Sequence, residues 1–126
     1  MIAPVLAAIT VLALAAQPPP PTASDATVVV AGANASVYVV INNPTMYDIY
    51  VMSATSDVAG KVELYSNDKP VDNMTVAAYG SLTLKAGGMF LRLSDMKREL
   101  KAGESIAVTM MTDGGVAIAA SAVVKP

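Results

Sequence analysis

Histidine and cysteine are both absent from the sequence. Without histidine the commonest metal ligand and the commonest general base are missing. No Ser-His-Asp or Cys-His constellation can be assembled, and no other acid–base or nucleophile grouping stands out. Without cysteine there are no disulfides, thiolate metal sites or sulfur nucleophiles. A zinc site would have to rest on carboxylates alone, against the preference of zinc for nitrogen and sulfur. Tryptophan is absent too and phenylalanine occurs once. The core is therefore expected to consist of aliphatics, Met and a few Tyr. Charge is sparse: 14% of residues are charged, the net charge is −2, and no Lys or Arg precedes Lys61. No basic stripe exists that could track a phosphate backbone, which argues against nucleic acid as a partner.

What is present is apolar and β-branched. The 126 residues are 54% hydrophobic, with a mean hydropathy of +0.52, and their number suits one domain behind a leader. Residues 1–16 (MIAPVLAAITVLALAA) form a continuous apolar run, short for a bilayer span. Ala13 and Ala15 supply small residues of the kind signal peptidase reads, although the basic segment that usually precedes such a run is missing. An export signal, an uncleaved anchor and a buried segment are the three readings. Residues 17–25 hold four consecutive prolines and read as an extended linker. Residues 26–126 then form the domain. Membrane attachment is expected only through the leader.

Within the domain, short runs alternate between apolar and polar residues and are separated by turn residues. Ala26–Val30, Ala35–Asn42, Tyr47–Ala54 and Gly60–Tyr65 read as strands. Met74–Ala78, Ser81–Lys85, Met89–Leu93, Ser105–Met111 and Val116–Val124 follow. Asn42-Asn43-Pro44 ends a strand, Asn67-Asp68-Lys69-Pro70 is a turn, and Asp113-Gly114-Gly115 signals a hairpin. Asp95–Leu100 reads as a brief helical turn. About nine strands without a long amphipathic helix predict an all-β, antiparallel sandwich.

Four segments carry a resemblance. Residues 54–65 (ATSDVAGKVELY) are similar to the "S-P-V-A-G-x-V-E-L-H" stretch of the periplasmic PCu(A)C copper chaperones. Gly87–Leu93 resembles their "G-G-x-H-L-M-L". Residues 96–104 (MKRELKAGE) resemble the following "L-x-x-P-L-x-x-G-D", and Ala35–Asn42 an early "A-A-Y-L-x-I-x-N" strand. The likeness runs in order from about Asp25 to Lys125. It implies a Greek-key sandwich or flattened barrel of the cupredoxin-like or immunoglobulin-like kind. It also implies an extracytoplasmic protein that accepts Cu(I) and delivers it to an oxidase or another chaperone. The family grips Cu(I) with a His, a downstream Met and a later His-x-Met pair. Carried over position by position, these fall on Tyr65, Met74, Phe90 and Arg92. Only Met74 keeps a soft donor suited to Cu(I); Tyr65, Phe90 and Arg92 are not expected to ligate, and the metal site is degenerate.

Each candidate also has a plain structural reading. Met74 either fills the core or survives as a single thioether ligand. A displaced Cu(I) site built from Met46, Met52, Met89, Met96, Met110 and Met111 is chemically allowed. Alternation, however, puts Met89 on the face opposite Phe90 and Arg92, and turns Met110 and Met111 to opposite faces. Phe90 and Tyr65 are expected to plug the vacated site, with Arg92 over the Tyr65 ring or paired with a rim carboxylate. Asp48, Asp57, Glu63, Asp68 and Asp72 read as solvated surface, with calcium at an Asp68/Asp72 loop as the alternative. Asn34-Ala35-Ser36 and Asn73-Met74-Thr75 match the glycosylation pattern.

Overall fold

Alternation in the sequence becomes alternation of burial in the structure, a computed structural model that describes residues 19–126. The apolar run at residues 1–16 lies outside the described residues. Ten strands follow: β1 (Thr22–Ala31), β2 (Asn34–Asn42), β3 (Ile49–Ser56), β4 (Ala59–Ser66) and β5 (Lys69–Pro70), then β6 (Met74–Val76), β7 (Ser81–Thr83), β8 (Met89–Met96), β9 (Ser105–Thr112) and β10 (Ala117–Val124). Their hydrogen-bonded order is β5-β4-β8-β2-β1-β10-β9-β3-β6. The Ser56↔Ala59 pair joins β3 to β4. Seven strands thus close into a barrel, and β5, β6 and β7 extend its rim. Closure removes most of the exposed edges that an open sheet would present. The all-β, Greek-key expectation is borne out.

One pairing departs from the antiparallel pattern. β1 and β10 run parallel, with Thr27 opposite Val123 and Val28 opposite Val124. Local spacing carries no signal for a contact between the first and last strands. β1 also begins at Thr22, earlier than the alternation from Ala26 suggests. A bulge between Ser24 and Thr27 breaks the register, and Asp25 takes φ 53° there. An extra residue at a bulge shifts the period of two and hides the strand from sequence reading.

The predicted helical turn at Asp95–Leu100 is not formed. β8 runs on through Met96, Asp95 adopts φ 53°, and the Lys97 amide donates to the Val58 carbonyl at 2.9 Å. Met96 and Leu100, both partly buried, pack against the core, and pairing of β8 with β4 reaches Met96, so the chain here continues the sheet instead of turning into a helix. At the Asn67-Asp68 turn both residues have positive φ, 53° and 66°. That is the twist a two-residue hairpin requires.

The core holds Val28, Val37, Val39, Ile41, Val51, Val58, Met74, Val76, Leu91, Leu93, Met110 and Ile118, each almost fully buried. No tyrosine belongs to it, contrary to expectation. Aliphatics fill a narrow seven-strand barrel without polar atoms to satisfy, whereas a buried phenol must find a hydrogen-bond partner. All six aromatics therefore lie on the outside, half-buried or exposed.

Asn43, at 1% exposure, is one of two buried polar residues in that core. Its Nδ2 donates to the carbonyls of Tyr47 (2.7 Å), Val76 (3.1 Å) and Ala77 (3.2 Å). Its Oδ1 accepts from the Thr45 amide (3.0 Å) and hydroxyl (2.6 Å). One side chain thereby ties the loop after β2 to the loop after β6.

At the other end of the barrel, Arg98 Nη1 pairs with Glu104 Oε2 at 2.9 Å. The Lys101 amide donates to Glu104 Oε1. The Arg98 hydrogen bond, then that of Lys101, hold the Glu104 carboxyl below its ordinary range. A depressed folded value means that this contribution is present above the unfolded value and lost as pH falls through the folded one. Arg98→Gln should raise the Glu104 midpoint toward the ordinary range in an NMR titration of the side-chain carboxyl. An unmoved midpoint would show that the pair does not persist in solution.

Candidate metal centre

β4 and β8 bring three of the four inferred positions together. Their register sets Tyr65 opposite Phe90 and Glu63 opposite Arg92. Leu64, Leu91 and Leu93 face the core, so Tyr65, Phe90 and Arg92 all point outward. The Tyr65 and Phe90 rings stack with centroids 5.4 Å apart and planes 26° from parallel. The Arg92 guanidinium carbon lies 5.3 Å from the Tyr65 ring centroid, and Arg92 Nη1 donates to the Tyr65 hydroxyl at 3.4 Å. Tyr38 on β2 meets Phe90 edge-on at 6.3 Å. Three aromatics thus form a ladder across β2, β8 and β4, capped by a cation. The stack contributes about 0.5–1.5 kcal/mol beyond its burial, and the cation–π contact about 0.5–1 kcal/mol.

Met74 does not join this group. It sits on β6, with its side chain 1% exposed in the core cluster, opposite Val51 of β3. It faces the inside of the barrel while Tyr65, Phe90 and Arg92 face the outside. In the structure Met74 is a core residue.

Chemically, this corner is poor in donors. Tyr65 offers a phenol, Phe90 nothing and Arg92 only N–H donors. A Cu(I) ion about 4 Å from the guanidinium would meet roughly 4 kcal/mol of repulsion at an effective dielectric near 20. Among the described residues no group of three or more carboxylates, histidines or cysteines is placed to hold a metal ion. Of the other methionines, Met111 lies opposite Ser53, the residue after Met52, and Met89 and Met96 are partly buried against the core. Met110 is fully buried and Met111 half-buried, while Met46 and Met52 are 62% and 47% exposed.

The family model described as "Putative lipoprotein LpqE-like" matches residues 9–124. No curated protein matches the chain. Among solved structures, the "Copper-bound PCuAC domain from PmoF2" superposes with a TM-score of 0.76 at 13% identity, covering 86% of this chain and 95% of that one. The "Apo PCuAC domain from PmoF1" gives 0.77 at 16% identity, with 87% and 98% covered. "CuI-DR1885 from Deinococcus radiodurans" gives 0.75 at 28% identity, with 88% and 82% covered. The chain shares the fold of these PCuAC domains, two of them solved with copper bound, and the resemblance read from the sequence is borne out.

Proposed function

The chain belongs to the LpqE-like family, and from that premise we propose that it is an extracytoplasmic, copper-chaperone-like protein whose ligand corner has become a packed structural element. The observation that carries this reading is the Tyr65 ring, which has the Arg92 guanidinium over it and Phe90 stacked on it. On the positional carry-over from the resemblance, a cation and two aromatics stand where soft donors would meet. On this reading the scaffold works through its surface as a binding module and catalyses no reaction. Export rests on the family description and on the apolar run at residues 1–16. A lipid held through a cysteine thiol has no attachment point on these 126 residues, which contain no cysteine.

Acceptance of Cu(I) and its delivery to an oxidase or another chaperone is the role the resemblance implies. Here it would have to draw on a partner's ligands or on surface thioethers such as Met46 and Met52. Copper titration against a chelating competitor, on the full chain and on Met74→Ala, tests the reading. Both proteins should bind Cu(I) more weakly than ~1 μM. Met74→Ala should instead lose about 2–3 kcal/mol of stability. That lies toward the low end for such truncations, because a flexible Met leaves neighbours that partly refill its space. Sub-micromolar binding that Met74→Ala abolishes would restore Met74 as a ligand.

A further inference from the structure

Arg92 carries a charge without a counterion. Its cross-strand neighbour Glu63 instead approaches Lys61, with Nζ to Oε2 at 3.8 Å. No carboxylate among the described residues pairs with Arg92. The guanidinium is nevertheless held in place. The Tyr65 ring centroid lies 5.3 Å from its central carbon and the Tyr65 hydroxyl accepts from Nη1 at 3.4 Å, and with the Asn34 amide oriented to satisfy its neighbours, its oxygen accepts from Arg92 Nη2 at 2.7 Å. A guanidinium has five N–H donors, so several stay free.

Arg92 also borders a hollow of about 150 Å³, lined further by Asn34, Ser36 and Phe90. Asn34 and Ala35 also line a second hollow of about 520 Å³, so the two adjoin. The larger one lies between the turn joining β1 to β2 and the segment after β8, and Val30, Met96 and Leu100 give it apolar walls. Val30 is 45% exposed there. Asp95 and Glu99 also line this part, and they would repel an anionic head. Arg98 is already engaged by Glu104. The groove therefore has a polarity: a fixed, unpaired cation at one end and an apolar bed with acidic borders at the other.

We propose that this groove binds an amphipathic oxyanion, a carboxylate or phosphate monoester on an alkyl chain. The head would be seated on Arg92 Nη atoms and the Ser36 hydroxyl, with the chain along Val30, Met96 and Leu100. An Arg held by a ring and an amide is preorganised, so little side-chain freedom is lost on binding. The proposal shares the position of Arg92 with the functional reading but does not depend on the absence of copper elsewhere.

Calorimetric titration of the full chain with decanoate, decyl phosphate, acetate and decanol, without copper, tests it. At least one of the two alkyl oxyanions should bind tenfold or more tighter than both acetate and decanol, and the tighter one names the head group. Arg92→Met should weaken that binding at least tenfold. Leu100→Asp should do the same while leaving Arg92 in place. Thermal unfolding of each variant checks that it remains folded. No binding, or binding unchanged by Arg92→Met in a folded variant, would overturn the proposal. Tight copper binding at this corner together with Arg92-dependent decanoate binding would sink the functional reading and leave the groove intact.

Discussion

The Asn43→Asp variant is expected to unfold about 4 kcal/mol more easily than the wild type at neutral pH. The exchange keeps size and shape, so packing loss does not enter. The nitrogen that donates to the Tyr47, Val76 and Ala77 carbonyls becomes an oxygen facing three oxygens, in a site that is 1% exposed. For a domain of about 100 residues each kcal/mol moves the midpoint by roughly 4–8 °C, so a fall of at least roughly 16 °C is expected. The loss should ease in acid. The new carboxyl is pressed toward its protonated form, so the native state binds the extra proton and stability falls as pH rises. Thermal unfolding monitored by circular dichroism across pH reads both effects. A loss under about 1 kcal/mol would mean that the three carbonyls find other partners.

The second large effect is a gain. The triple variant Tyr65→His, Phe90→His, Arg92→Met should bind Cu(I) at least ~1,000-fold tighter than the wild type, about 4 kcal/mol. Two terms add. Removing the guanidinium relieves roughly 4 kcal/mol of repulsion at short range. Two imidazoles and a thioether then converge on the outer face, where the register already sets residue 65 against 90. The double variant that keeps Arg92 should gain far less. Competition with a chelator of known affinity measures all three proteins. A triple variant no better than the wild type would show that the corner does not have the geometry of a copper site.

Much of this was legible in the sequence because it depends on local periodicity. The i, i+2 spacing of Phe90 and Arg92 put both on one face, and the alternation in Lys61–Tyr65 put Tyr65 on the polar face of its own strand. That Tyr65 meets Phe90 and Arg92 came from the family resemblance, which set the three positions together, and the structure shows both the stack and the cation–π contact. What spacing could not supply was long-range. Met74 follows a short loop whose path decides inside from outside, and the path turns it inward. Asn43 looked like a strand terminator beside Pro44, since Asn is common in turns. Its carbonyl partners at Val76 and Ala77 lie over thirty residues away, and only the fold brings them together. The unpaired state of Arg92 was hidden for a similar reason. Its neighbour Glu63 approaches Lys61 on its own strand, a pair the i, i+2 spacing allows, but that Glu63 faces Arg92 at all is set by the register between β4 and β8.

The most direct measurement is the methionine methyl NMR spectrum of the full chain before and after one equivalent of Cu(I), with a competing chelator keeping free Cu(I) scarce. The chain has eight methionines, and thioether coordination shifts the methyl beside the sulfur. If the guanidinium and aromatics have replaced the donors, all eight signals should keep their positions. Movement of two or more, at equal stoichiometry, would mean that a thioether site holds the ion after all.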